Sequence, residues 1–182
     1  MTLDEGGSDD EFYIRSILTI CYTEDYQKLG PGVSRTQERK TKMRKKVREL
    51  REEATLRLRR AGLRPTRQRS ELAALLFSHG NRHVTAEILR EEAKASGVNV
   101  SLATVYNTLH QFTAVGLLRQ VVVDPTRSYF DTNVDEHQHF YLEDHGTLTD
   151  IPGDAIAVSG VPAPPKGTRI DRVDVVVRVR RD

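Results

Sequence analysis

The feature that most constrains the fold is the change of hydrophobic period at Gly116. Before this glycine, apolar residues recur every three or four positions, which predicts amphipathic helices. After it, "LLRQVVVD" and "RSYFDTN" are short β-rich runs joined by "PT", which predicts a hairpin. Three helices followed by a hairpin are typical of a winged helix, and here a basic helix precedes them. The helical segments are "MRKKVRELREEATLRLRRAG", "TRQRSELAALLFSHG", "NRHVTAEILREEAKASG" and "VSLATVYNTLHQFTAVG".

The last of these helices has a small, neutral, hydrogen-bonding side and an apolar side expected to be buried, on which lie Leu102, Val105, Leu109, Phe112 and Gly116. Ser101 is a good N-cap, and Thr85 plays the same part for the preceding helix. At 100° per residue, the outward side holds Ala103, Asn107, His110 and Gln111, with Thr104 and Tyr106 on its flanks. Amides, hydroxyls and a tyrosine ring can read base edges in a major groove. The alternative is an ordinary solvated helix face.

Positive charge is concentrated before and within the first predicted helices. Residues 35–69 contain fifteen Lys or Arg against four Glu, although the whole chain has a net charge of only +2. Such a block attracts polyanions, and neutralising phosphates gives affinity that does not depend on base sequence. The alternative interpretation is a solvated helix face without a partner.

The last third of the chain reads as strands. "HQHFYLED" and "TLTDI" are β-rich, a Pro- and Gly-rich connection follows, and "RIDRVDVVVRVRRD" alternates like a half-buried strand. Three strands without a helix need a partner surface, and a second copy supplies it most simply. We therefore expect an α+β fold, with a winged-helix DNA-binding domain at 43–132 and a small β-rich dimerisation domain at 133–182, working as a homodimer.

The first 42 residues show no persistent apolar period. We expect them to be a poorly ordered extension upstream of a native start at Met43. The short apolar run at 12–22 is followed by no cleavage site, and no run reaches membrane length, which indicates a cytoplasmic protein without a membrane partner. Cys21 is the only cysteine, so the chain has neither a disulfide framework nor a structural zinc site of the cysteine type.

Several motifs together resemble one known family. "GLRPTRQR", "RHVTAE", "VSLATVYNTLHQF", "GLL" and "SYFD" occur in the order found in the ferric uptake regulator (Fur) family. The form "ATVYNTLHQF", the ending "DIPGDAIAV…VPAPPKG…RVDVVVRVRR" and the lack of cysteine pairs are similar to Irr, the iron response regulator of that family. The resemblance implies a dimeric winged-helix regulator, not an enzyme. The remaining alternative is an enzyme that uses a metal held by the histidines and aspartates for hydrolysis. The sequence shows no separate acid–base pair and no phosphate-binding loop to support it.

The resemblance also implies where DNA is bound. It places Tyr106 and its helix in the major groove, and Arg64 near the backbone or minor groove of an AT-rich palindromic operator. The family's usual "TVYR" is "TVYN" here, and Asn107 can pair with adenine in two hydrogen bonds. The expected DNA-contacting residues are Arg64, Arg69, Ser101, Thr104, Tyr106 and Asn107.

The histidine-rich stretch "DEHQHFYLEDHG" gains two interpretations from the resemblance. Family motifs imply a regulatory metal site formed by His83, Asp131, His137 and His139, whose ligand types suit Fe²⁺, Mn²⁺ or Zn²⁺. The family's middle histidine is Gln138 here, a poor ligand. The similarity to Irr implies instead a haem on His137 and His139, in a regulator that acts under iron limitation and is released or inactivated by haem. The alternative is a metal- or peroxide-responsive repressor without a haem role.

Overall fold

A computed structural model describes residues 34–124 and 127–181, with side chains at 44–123 and 127–181. Cys21, most of the predicted extension and the hairpin turn at 125–126 lie outside the described residues. The elements, in chain order, are α1 (Ser34–Arg60), α2 (Arg67–Phe77), β1 (His83–Val84), α3 (Ala86–Ala95), α4 (Leu102–Ala114), β2 (Arg119–Asp124), β3 (Arg127–Asp131), β4 (Gln138–Leu142), β5 (Thr147–Ile151) and β6 (Val176–Val179).

Helix α1 begins at Ser34, upstream of the predicted start at Met43. The prediction of the helix start was therefore wrong by nine residues. It relied on an apolar stripe, which "SRTQERKTK" lacks, but Arg, Gln, Glu and Lys are good helix formers without one. The helix ends as predicted, since Gly62 has φ 77° and the Leu63 amide donates to the Leu58 carbonyl at 2.9 Å.

The winged-helix core is built from the predicted apolar stripes. Helix α4 buries Val105, Leu109 and Phe112 completely. They pack with fully buried residues of the other elements, namely Leu58, Leu72, Leu75, Leu76, Val84, Leu89 and Phe130. The three short helices start at hydroxyl caps, because Thr66, Thr85 and Ser101 each accept a bond from a backbone N–H three residues on. These caps satisfy first-turn amides and so define where each helix begins.

Two three-stranded sheets complete the fold. The first has the order β1-β3-β2 and is antiparallel, with His83 opposite Asp131. The second has the order β5-β4-β6, in which β4 runs antiparallel to β5 and parallel to β6. All three predicted C-terminal strands are confirmed, but β6 covers only part of its predicted run.

The two sheets share a small second core. Val121, Val123 and Tyr129 from the hairpin pack with side chains of the C-terminal sheet. Those partners are Tyr141, Leu148 and Val176. One face of the β2–β3 hairpin therefore packs against the second sheet, and the end of β3 lies beside β4 and β5. The fold is α+β, as predicted, and none of the described helices is both long and apolar enough to cross a bilayer.

Candidate metal centre and DNA-binding face

Five acidic and histidine side chains meet where the two sheets touch. His83 and Asp131 come from β1 and β3 of the first sheet, where they are direct cross-strand partners. His137 precedes β4, and His139 lies on it opposite Asp150 of β5. One ligand atom from each of these residues lies within 4.8 Å of the others. Strand register, rather than sequence proximity, thus assembles the cluster.

The carboxylate of Asp131 forms the middle of the cluster. Its Oδ2 lies 2.9 Å from His137 Nε2, 3.3 Å from His139 Nε2 and 3.5 Å from His83 Nε2. Asp150 Oδ1 approaches from the other sheet, 2.9 Å from His83 Nε2 and 3.5 Å from His137 Nε2. Three imidazole nitrogens and two carboxylate oxygens therefore point to one volume.

Asp131 is a carboxylate that lies in the protein interior. Asp131 and His139 are completely buried, and His137 is nearly so. Burial acts to raise the pKa of Asp131, but the nearby imidazoles of His139 and His83 and the hydrogen bond from the Asn133 backbone amide outweigh it and hold that pKa well below its usual range. The site therefore contains a carboxylate anion in the protein interior, which requires a positive partner.

The donor set fits a divalent metal ion. His83 Nε2 and Asp150 Oδ1 lie 2.9 Å apart, yet both are buried without a hydrogen-bond partner among the described residues. His137 Nδ1 lies 2.8 Å from the Asp135 carbonyl, and donating there leaves the Nε2 lone pair facing the cluster. Neutral imidazoles with two carboxylates suit Fe²⁺, Mn²⁺ or Zn²⁺, and the two negative charges balance the ion.

The structure brings together all of the predicted metal residues and adds one. His83, Asp131, His137 and His139 lie in the cluster, together with Asp150, which the sequence interpretation missed. A carboxylate at a strand position opposite His139 was the available signal, but it required the register between β4 and β5. Gln138 faces away from the cluster, and its Oε1 accepts from the Val175 amide at 2.6 Å.

The outward side of α4 has the predicted composition. Ala103, Asn107, His110 and Gln111 are exposed. At the helix start, Ser101 Oγ accepts from the Thr104 amide at 3.1 Å and lies 2.8 Å from its Oγ1. These two hydroxyls therefore serve the cap as well as facing solvent.

Two residues at this face, Tyr106 and Arg69, make contacts that were not foreseen. The Tyr106 hydroxyl donates to Glu87 Oε1 at 2.8 Å, and this bond raises the pKa of Tyr106. The Arg69 guanidinium bonds both the Arg64 carbonyl and the Gln111 side chain, which ties the start of α2 to the outward side of α4. Part of the predicted DNA-contacting set is thus linked directly.

The basic charge of α1 is partly offset within the helix. Exposed pairs join Lys45 to Glu49 at 3.8 Å and Arg48 to Glu52 at 3.6 Å. Exposed pairs of this kind contribute little stability, so the arginines and lysines remain available to an external polyanion. The basic residues of α1 can therefore still neutralise phosphates.

Comparison with known proteins gives consistent relatives. The model of the "Ferric uptake regulator family" matches residues 60–170. The chain is 33% identical over 100 residues to the peroxide-responsive repressor PerR of Staphylococcus aureus strain Mu50, covering 55% of this chain and 67% of that protein. The manganese-containing ferric uptake regulator structure of Pseudomonas aeruginosa is 26% identical, with a TM-score of 0.51 over 70% of this chain and 96% of that one. The Vibrio cholerae ferric uptake regulator shares the fold at 19% identity, with a TM-score of 0.54 over 69% of this chain and 98% of that one.

Proposed function

The chain belongs to the ferric uptake regulator family, and on that premise we propose that a divalent metal ion controls its binding to operator DNA. Members of this family are transcription regulators that bind DNA and act as dimers, and they are not enzymes. The observation that carries the proposal is the cluster of His83, Asp131, His137, His139 and Asp150, which takes ligands from both sheets. These five residues would hold the ion.

The proposal assigns DNA binding and dimerisation to different parts of the chain. The winged helix at 43–132 binds DNA, and residues 133–182 dimerise. On this proposal Tyr106 and Asn107 contact bases, with Ser101 and Thr104 beside them, while Arg64 and Arg69 contact the backbone. A two-fold dimer then matches a palindromic, AT-rich operator.

The site would control DNA binding through the angle between the sheets. Asp131 and His83 belong to the same sheet as the wing, whereas His139 and Asp150 belong to the C-terminal sheet. A bound divalent ion would supply the positive charge that the buried Asp131 carboxylate requires. Because the ligands come from both sheets, one arrangement of the sheets binds the ion more tightly than others, and the population shifts towards that arrangement.

The relatives support a metal-responsive reading. One structural relative is described with manganese, and the curated relative is a peroxide-responsive repressor. We therefore propose Mn²⁺ or Fe²⁺ as the controlling ion of this chain, in a repressor that also responds to peroxide. Zn²⁺ satisfies the same donor set.

A haem response is the second candidate, favoured by the similarity to Irr in "ATVYNTLHQF" and the C-terminal ending. In this reading the protein binds DNA under iron limitation and haem releases it. His137 and His139 direct their Nε2 atoms at Asp131 from buried positions. One of these rings would have to turn out of the cluster to meet a haem iron, so the packing supports the metal proposal more strongly.

Fluorescence anisotropy with chelator-treated protein tests both candidates. A labelled AT-rich palindromic duplex and a random duplex are titrated without metal, with Mn²⁺ and with haem. We expect Mn²⁺ to raise the affinity of the protein for the palindromic duplex. His139→Ala should lose this response, whereas His145→Ala should keep it. His145 is an exposed histidine outside the cluster and so makes a matched control. Tight binding without metal that haem abolishes would replace the metal proposal with the haem one.

A further inference from the structure

Arg119 is a buried guanidinium beside the metal cluster that no DNA-binding or ligand role explains. It starts β2, shortly after α4, and is only 4% exposed. In the first sheet it lies directly opposite the cluster residue Asp131. An arginine stays charged when buried, so its position has to be explained by the groups with which it pairs.

Two of those groups are the backbone carbonyls of Asp135 and His137. Arg119 Nη1 donates to the His137 carbonyl at 2.9 Å and reaches the Asp135 carbonyl at 3.5 Å. The Asp135 carbonyl also lies 2.8 Å from His137 Nδ1. One guanidinium therefore fixes the backbone of His137 and also contacts the acceptor that sets the orientation of its imidazole.

The third group comes from the C-terminal segment. Arg119 Nη2 pairs with the carboxylate of Asp174, just before β6. The next residue is held by β4, because the Val175 amide donates to Gln138 Oε1 at 2.6 Å and the His139 amide donates to the Val175 carbonyl at 3.1 Å. Docking of the C-terminal segment thus places Asp174 where it can anchor Arg119.

We propose that Arg119 is a positioning residue for the metal centre, and that Asp174 links its action to docking of the C-terminal strand. The inference rests on the proposed metal function and adds a regulation to it. A change that detaches the C-terminal segment from β4 also removes the anchor of Arg119 and of the His137 backbone. Metal affinity is therefore lowered. Groups that support metal ligands from outside the ligand set typically change metal affinity by about 10- to 100-fold.

Cobalt titration of the full chain tests this, since Co²⁺ reports affinity and ligand geometry through its visible absorption. The variants are Asp174→Asn and Arg119→Lys, and the control is Asp171→Asn, which removes the same charge from an exposed neighbour. Asp174 is 42% exposed on its side chain, so its replacement leaves no buried cavity. Arg119→Lys keeps the charge but lacks the forked donors that reach carbonyl and carboxylate together.

The proposal expects Asp174→Asn and Arg119→Lys to weaken Co²⁺ binding about tenfold or more and to alter the absorption bands, with Asp171→Asn unchanged. Asp174→Glu should recover part of the affinity. If Asp174→Asn binds Co²⁺ as the unaltered chain does, with the same spectrum, the inference fails even if melting temperature falls. An equal loss in Asp171→Asn would also overturn it, as an effect of net charge. If the unaltered chain binds no Co²⁺, the proposed metal function fails first.

Discussion

Replacing Asp150 by asparagine should separate metal-dependent stability from folding. The side chain of Asp150 is 34% exposed, and its other oxygen accepts from Asn133 Nδ2 at 3.2 Å. An asparagine has the same shape and keeps an acceptor for this bond, so the metal-free protein should change little. The change removes one of the two carboxylate charges from a five-residue ligand set.

The expected magnitude follows from linkage. An ion at about 100 times its dissociation constant stabilises the folded state by about 2.7 kcal/mol. For a chain of this size, about 1 kcal/mol corresponds to roughly 2–4 °C in melting temperature, so the unaltered protein should gain about 5–11 °C. If losing the Asp150 carboxylate weakens affinity about 100-fold, stabilisation at the same metal concentration falls to about 0.4 kcal/mol, or about 1 °C.

Differential scanning fluorimetry of chelator-treated protein, with and without Mn²⁺, measures both quantities. Asp154→Asn removes the same charge from an exposed position just after β5 and serves as the control. It should keep the full metal-induced rise. Two results would contradict this role for Asp150. One is a full metal-induced rise in Asp150→Asn. The other is a metal-free melting temperature already about 5–11 °C below that of the unaltered protein.

Further substitutions test the DNA face and the core. Tyr106→Ala and Asn107→Ala should reduce discrimination between the palindrome and random DNA, whereas Arg64→Ala should weaken both alike and lower the salt slope by about 1, as measured by anisotropy at several salt concentrations. Equal losses on both duplexes for all three variants would contradict these roles. Leu109→Ala should cost about 2–5 kcal/mol of unfolding free energy in urea titration, because Leu109 is completely buried in the winged-helix core. A cost below about 1 kcal/mol would contradict that packing.

Periodicity was sufficient for the parts of the fold that a single element determines. The stripe of Val105, Leu109 and Phe112 in α4 is buried as predicted, and Ser101 caps the helix as predicted. Both depend on residues within a few positions of each other. The predicted start of α1 was wrong because it relied on an apolar stripe, and a solvated helical segment needs none.

The candidate site was predicted only as far as motif and alternation reach. His137 and His139 are two residues apart, the first just before β4 and the second on it, whereas Asp150 joins them through the pairing of β4 with β5. Arg119 is further removed, because its link to Asp174 joins β2 to the segment before β6. Contacts between distant strands depend on sheet order and register, and no local pattern in the chain specifies these.

Control of DNA binding by the metal is tested by the Mn²⁺ dissociation constants of the protein alone and of its operator complex. Linkage requires that, if the metal tightens DNA binding, DNA tightens metal binding by the same factor. We expect a coupling of about 5- to 150-fold, measured by competition with a chromophoric chelator, and we expect His139→Ala to lose it. Equal dissociation constants with and without operator DNA would show that occupancy of the cluster does not control DNA binding.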